Sequence, residues 1–332
     1  MAREPVFTVI GSNSFSGASF VGHLLKQGHD VVGMSRSEEP HDAFLPYRWG
    51  PAAGRFQFHQ LDLNNDLDAI CDAIDAAKSS HVVNFASQSM VAESWANPDH
   101  WYMTNVVSTV RLHEALRKMP LLQRYVHVST PEIYGSTSGD VTEDAPFNPS
   151  TPYAVSRAAA EMNLRIFHRH YGFPVLYTRA ANVFGPGQQL YRIIPRTILY
   201  IRLGKTLMLH GGGASERSFI HIDDVSDATL RIALDGRSGE AYHIATTRQI
   251  SIHDLVALIC TRMGTSIDQV AEVVGERAGK DAAYWLNSGK LRGELGWRDQ
   301  VSLEEGIDQT IAWIDRNLAA LEALPQSYIH KP

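Results

Sequence analysis

The sequence predicts an α/β protein: a doubly wound, mostly parallel sheet with a smaller C-terminal α/β lobe. Three observations carry this. Short apolar runs at Val6–Ile10, Asp30–Met34, Phe56–His59, His81–Phe85, Tyr125–Thr130 and Phe173–Ala181 alternate with helical patterns, the order that builds a parallel sheet. The first run leads into Gly11-Ser12-Asn13-Ser14-Phe15-Ser16-Gly17 and an amphipathic segment, Ala18–Gln27, which is the strand, glycine turn and helix that open such a sheet. The chain of 332 residues, 44% hydrophobic and 20% charged, is long enough to bury a sizeable core in one large domain or two smaller ones.

Charge and cysteine usage narrow the function classes. A formal charge of -6 with both signs interspersed leaves no basic stripe, which argues against nucleic acid as a partner. Cys71 and Cys260 lie far apart in helical patterns, so neither a disulfide framework nor zinc spacing is present, and no metal site is expected. The opening MAREPVFTVIG runs into a strand without a signal-like apolar core, and no apolar stretch is long enough to span a bilayer. A cytoplasmic protein without a membrane partner is expected.

Taken in order, the first turn places free amides and a helix dipole where an anion binds, so Gly11, Asn13, Ser14, Phe15, Ser16 and Gly17 are candidate contacts to a dinucleotide pyrophosphate. An ordinary turn would have the same glycines; the flanking strand and helix favour the cofactor. The second strand ends in Ser35-Arg36-Ser37, without an acidic residue. A carboxylate there would repel a 2'-phosphate whereas serine and arginine accept it, so NADP is preferred over NAD; the alternative is that Arg36 only stacks on adenine. Residues 41–55 form a Pro- and Gly-rich loop, and Asp62-Leu63 follow the third strand. Residues 66–78 are helical. The fourth strand ends in Ala86-Ser87-Gln88-Ser89, a polar end that also suits a cap or turn. Met90–Met119 follows as a long helical pattern with a break near Pro98.

The stretch from Tyr125 to Arg157 carries the chemistry. Tyr153 and Arg157 are four residues apart, so on a helix they share one face. A fixed cation favours the phenolate and makes Tyr153 a candidate acid/base. Thr130 and Glu132 bring a hydroxyl and a carboxylate from a second element. A lone Tyr-x3-Arg pair also fits a buried tyrosine beside an ordinary ion pair; the surrounding sequence separates the two.

That surrounding sequence is Ser129-Thr130-Pro131-Glu132-Ile133-Tyr134-Gly135 and Thr151-Pro152-Tyr153-Ala154-Val155-Ser156-Arg157. It resembles the extended short-chain dehydrogenase/reductase family, whose nucleotide-sugar epimerases and dehydratases carry STDEVYG or STSEVYG and then SPYxxSK. Three departures stand out: Ser14 in the middle of the family's GxxGxxG, Pro131 where aspartate or serine is usual, and Arg157 in place of lysine. The resemblance implies a Rossmann-type fold and a tightly bound, recycled NADP or NAD held by the first-turn residues, Ser35, Arg36, Asp62, Leu63, Ala86, Ser87, Gln88, Tyr153 and Arg157. It implies a structural role for Asn105 and a homodimer built on the helices around Asn105 and Tyr153. Further on, Arg179 to Gln188 resembles RxxNVYGPGQ, and LMLHGGGASERSFI resembles GDGxQxRDFIHVDDV. These imply sugar-nucleotide contacts from Asn182, Arg217 and Arg277, with Gln88 and Arg192 bordering the substrate. Asp223 is expected as a helix N-cap, and His243 as a core or rim residue.

The activity so implied is an NDP-hexose 4,6-dehydratase. Tyr153, with Thr130, would take the C4 hydroxyl proton as hydride leaves C4; Glu132 would remove the C5 proton and drive loss of the C6 hydroxyl, after which hydride returns to C6. Pro131 cannot protonate the leaving group, so water or Glu132 must. The alternatives are a 4-epimerase, a 5,6-dehydratase, and a non-catalytic dinucleotide sensor motivated by the three departures. Residues 1–185 plus about 221–246 are expected to bind the cofactor, and 186–220 plus about 247–332 the sugar nucleotide.

Overall fold

Strands covered on both faces read as unbroken apolar runs rather than alternating ones, and FTVI and HVVN are buried along their whole length. The computed structural model describes residues 5–137, 139–275 and 285–331. Its seven-stranded sheet comprises β1 (Phe7–Ile10), β2 (Val31–Ser35), β3 (Phe56–Gln60), β4 (His81–Asn84), β5 (Arg124–Val128), β6 (Val175–Ala180) and β7 (Ala241–Ile244). All neighbours are parallel, in the order β7-β6-β5-β4-β1-β2-β3. The order reverses beside β1, so the carboxyl ends of β1 and β4 flank a natural cleft.

The longer helices are α1 (Phe15–Lys26), α2 (Leu67–Ala76), α3, α4 (Pro152–Tyr171), α5 (Ile193–Arg202), α6 (Ile222–Asp235), α7 (Ile252–Arg262) and α8 (Leu303–Glu322). Helix α3 starts at Pro98–Tyr102, passes through π-helical geometry at Met103–Ser108 and resumes at Thr109–Leu116. One face of the sheet buries Phe20 and Leu24 of α1 and Ile232 of α6; the other buries Ile70 of α2, Leu112 of α3 and Leu164 of α4. A separate core under α5, α7 and α8 gathers Ile198, Leu255, Ile307 and Trp313. The chain reaches it through a parallel pair, Asn182–Phe184 with Phe219–His221.

Two expected boundaries move for local reasons. Thr130 does not end a strand: β5 stops at Val128, and Thr130 caps a 3-10 turn, Pro131–Tyr134, by accepting from the Glu132 amide. Asp223 does not cap α6. His221 is still extended and paired with Phe184, so its Nδ1 takes the Asp223 amide at 3.3 Å.

One buried ion pair ties the central elements together. Glu161 of α4 pairs with Arg179 of β6, and neither side chain is exposed. The same carboxylate accepts from Ser129 Oγ at 2.9 Å and from Arg165 at 3.0 Å, while Arg179 also donates to Tyr134 Oη. Removing one partner strands a charge in the interior, at a cost of about 3–5 kcal/mol. Arg179→Met is therefore expected to lower unfolding stability by that amount in a urea titration, and adding Glu161→Leu should recover part of the loss.

Candidate active site

The glycine turn keeps only the glycines that sterics demand. Gly11 has φ +83°, and a Cβ there would lie 2.7 Å from the Ala86 nitrogen; one on Gly17 would lie 2.2 Å from the Gly11 oxygen. Ser14, in the middle position, caps α1 instead: its hydroxyl donates to the Gly11 carbonyl at 2.7 Å and accepts from the Gly17 amide at 3.1 Å. Helix α1 consequently starts at Phe15, three residues before the expected Ala18. Phe15, Ser16 and Gly17 form its first turn, with their amides at the positive end of the helix.

In front of this turn lies a cleft of about 430 Å³, lined by Gly11, Asn13 and Ser14 on one side and by Asp62, Leu63, Ala86, Ser87 and Gln88 on the other. Ser35, Arg36 and Ser37 close one end. Asn13 holds that end in shape, its amide donating to Ser35 Oγ and its Nδ2 to the Ser37 and Glu38 carbonyls. Its Oδ1 is buried without a partner among the described residues, leaving an acceptor for a sugar hydroxyl. A dinucleotide fits this donor set: helix amides for the pyrophosphate, Asn13 for a ribose, and the apolar Leu63 and Ala86 beside it. The Asp62 carboxylate is engaged by the Asn64 amide and Asn65 Nδ2.

Behind the cleft, Asn105 acts as a clasp. It exchanges hydrogen bonds with both backbone groups of Gln88 and donates to Ser156 Oγ at 3.0 Å, fastening the segment after β4 to α4. Gln88 lines the cofactor cleft, and its side-chain amide donates to the Lys331 carbonyl at 2.7 Å. Lys331 was not foreseen as part of this site.

The candidate catalytic group is built from three elements. Thr151 caps α4 by accepting from the Ala154 amide, and Pro152 occupies the first turn, so Tyr153 emerges at the helix start. Its phenol is 7% exposed and hydrogen-bonds the Thr130 side chain, with Glu132 and Arg192 close enough to act on its charge. Burial, then the Glu132 carboxylate, push the phenol above its ordinary pKa; Arg157, the Thr130 hydrogen bond and Arg192 pull the other way and do not prevail. This corrects the expectation that Arg157 lowers the phenol outright. The guanidinium is 3% exposed, donates to the Val128 carbonyl and lies 3.4 Å from His127 Nε2. Burial, then Arg157, hold His127 well below the usual imidazole range, so it stays neutral and can accept. Arg157 ion-pairs with no carboxylate among the described residues, and at the phenol its field is opposed by Glu132.

On the lobe side, Asn182 donates through Nδ2 to the Ser218 carbonyl at 3.3 Å and pairs in register with Phe219, two residues beyond Arg217. Arg217 is half-buried and donates to the Glu216 carbonyl. Arg192 precedes α5 with its guanidinium 5.4 Å from the centre of the Tyr191 ring. Arg277 lies outside the described residues. His243 is fully buried against Tyr134, a core residue as expected. A second cavity of about 370 Å³, between Arg196, Tyr200, Leu207, Met208, His210 and Val274, had no motif to announce it.

The profile of the family described as GDP-mannose 4,6 dehydratase matches residues 8–310. A dTDP-glucose 4,6-dehydratase of Mycolicibacterium smegmatis is 32% identical over 321 residues, covering 93% of each chain. A trifunctional UDP-glucose 4,6-dehydratase/UDP-4-keto-6-deoxy-D-glucose 3,5-epimerase/UDP-4-keto-L-rhamnose-reductase of Arabidopsis thaliana is 32% identical over 266 residues, 79% of this chain. This chain spans only 40% of that plant protein's length. Among solved structures, a dTDP-glucose 4,6-dehydratase from Streptomyces venezuelae with NAD bound has a TM-score of 0.86 at 32% identity, over 95% of this chain and 98% of that one.

The charges around Tyr153 set a testable order. In a titration of ring-labelled tyrosine followed by NMR, the resonance lost in Tyr153→Phe should ionise above the ordinary tyrosine value. Glu132→Gln should move that midpoint down and Arg157→Met should move it up.

Proposed function

We propose that this chain, which belongs to the GDP-mannose 4,6-dehydratase family of extended short-chain dehydrogenases/reductases, is an NAD(P)-dependent NDP-hexose 4,6-dehydratase. The observation that carries the reading is the meeting of Tyr153 with Thr130 and Glu132, Tyr153 lying on the helix that Asn105 fastens to Gln88 in the wall of the cleft. A 4-epimerase needs the tyrosine but has no use for the carboxylate.

When bound, the dinucleotide supplies the hydride acceptor for C4 and the donor for C6. The chain's own groups manage the protons. Tyr153 takes the C4 hydroxyl proton, and Thr130, already bonded to the phenol, holds the hydroxyl in line. The C4 ketone acidifies C5, Glu132 removes that proton and passes it to the C6 hydroxyl, which leaves as water; as hydride returns to C6 the proton taken by Tyr153 is returned to C5, so the overall change is loss of one water with no net oxidation. Arg157 keeps positive charge near the phenolate from the strand end, and Arg192 adds a second cation from α5. Asn182, Arg192, Arg217 and Arg277 serve the sugar diphosphate, whose oxygens match guanidinium forks, and the cavity beside Tyr200 suits the base. Residues 1–185 with 221–246 form the cofactor half, and 186–220 with 247–332 the substrate half, which the separate core under α5, α7 and α8 supports.

Three finer points belong to the same reading. NADP is the preferred dinucleotide, supported by the absence of a carboxylate from Ser35-Arg36-Ser37; the Streptomyces relative holds NAD. The enzyme works in the cytoplasm, which its two free cysteines support. It is a homodimer: Tyr102 and Met103 of α3 and Met162 and Ile166 of α4 are exposed apolar residues on two adjacent helices, and a second copy would cover them.

With dTDP-glucose, the substrate of its full-length relatives, the purified protein should yield a 4-keto-6-deoxy sugar one water lighter. Tyr153→Phe should slow turnover by about 10²–10⁴-fold. Glu132→Gln should still oxidise C4, seen as the absorbance of reduced nicotinamide, but release no water. An isomer of unchanged mass from the parent protein would point to epimerisation, and tight dinucleotide binding without turnover to a sensor. Met162→Glu with Ile166→Glu should convert a dimer to a monomer in light-scattering chromatography.

A further inference from the structure

Residues 327–331 leave the lobe and cross to the far end of the cofactor cleft. Stacking fixes their path. The His330 ring lies 5.1 Å from Trp101 at 13° and 5.2 Å from His100 at 11°, and its Nε2 is 2.8 Å from His100 Nδ1. Tyr328 packs edge-on to Tyr191, centroids 5.6 Å apart. The segment therefore bridges α3 and the start of the lobe.

What it delivers is a cation at the end of β2. Lys331 Nζ lies 3.1 Å from Ser37 Oγ, and the Lys331 carbonyl accepts from Arg36 at 3.0 Å and from Gln88 at 2.7 Å. Two cations and the hydroxyls of Ser35 and Ser37 thus line one end of the cleft, with Glu38 exposed at its edge. The cluster sets a guanidinium, an ammonium and two hydroxyls side by side, with one carboxylate at the rim. It matches a phosphate dianion, the guanidinium offering a fork and the ammonium a point charge on a flexible stem.

We propose that Lys331 is a cofactor-specificity residue, brought by residues 327–331 to bind the 2'-phosphate of NADP together with Arg36. This rests on reading the cleft as the dinucleotide site. The test is calorimetric titration of the full-length protein, freed of dinucleotide, with NADP and with NAD. Lys331→Ala should weaken NADP roughly tenfold and leave NAD within about twofold. Lys331→Arg should restore most of the loss. His330→Ala, which releases the anchor but keeps the charge, should give the same selective loss. Equal weakening of both dinucleotides would reduce Lys331 to a tether, tighter binding of both would make the segment a plug, and no change would leave it a bystander; each overturns the inference. A parent protein that binds neither dinucleotide would instead overturn the reading of the cleft itself.

Discussion

The buried Glu161–Arg179 pair is the constraint on which the site depends, because it fixes two walls of the site at once. Glu161 lies eight residues beyond Tyr153, so both fall on one face of α4, roughly 12 Å apart at 1.5 Å per residue. Locking the carboxylate to β6 therefore sets the helix rotation that points the phenol at the sheet end. The opposite wall runs from Ser129 to Tyr134, and both ends of that stretch bond to the same pair: Ser129 to Glu161, Tyr134 to Arg179. Thr130 and Glu132 hang between two fastened points. An ion pair is a costly way to hold a core, since both charges lose water. What it provides here is direction, which apolar packing of α4 against the sheet would not specify as tightly.

The electrostatics at the phenol follow from that frame. Arg157 stands between Tyr153 and Glu161 on the helix, yet it pairs with neither. Its fork needs planar acceptors, and the sheet end offers the Val128 carbonyl and a neutral His127. A lysine has a narrower head and would have other choices. Fixed at the strand end, the guanidinium acts on the phenol through its field. That field is opposed by desolvation and by Glu132, so the phenol is raised.

Much of the fold was legible because its inner strands are buried on both faces, which leaves apolar runs no other arrangement can hide. The cofactor turn, Asn105 and the α4 start were legible because each rests on contacts a few residues apart or on a spacing that fits few structures. What escaped reading depends on contacts distant in sequence. Lys331 meets Arg36 across 295 positions and has no local signature. Arg179 appeared as the first letter of a sugar-nucleotide motif, and only the sheet shows it facing Glu161. A signal existed: Tyr153, Arg157, Glu161 and Arg165 recur every four residues, a polar stripe along a helix whose neighbours are apolar. The π-helical stretch in α3 left no mark in composition, since it is a matter of register.

The three departures from the family pattern share one physical logic. Ser14 replaces a glycine and caps the helix that the turn feeds. Pro131 replaces an acid or hydroxyl and takes the first position of a tight turn, where an amide hydrogen would have gone unpaired and a fixed φ suits the bend. Arg157 replaces lysine and anchors to the backbone. Each gives up a reactive or flexible group and gains a fixed shape. For Ser14 and Arg157 the proposed roles are compatible with the change, because the helix amides remain available to an anion and a guanidinium acts at a distance through its field. For Pro131 no such role remains, since protonating the leaving hydroxyl needs a proton carried to a particular oxygen. In the proposed reaction Glu132, its backbone pinned by the Thr130 cap, would carry the proton it removes from C5 to the leaving hydroxyl. That transfer needs no second acid, and the proton Tyr153 takes from C4 is left to return to C5; this is the condition under which proline at position 131 is compatible with dehydration.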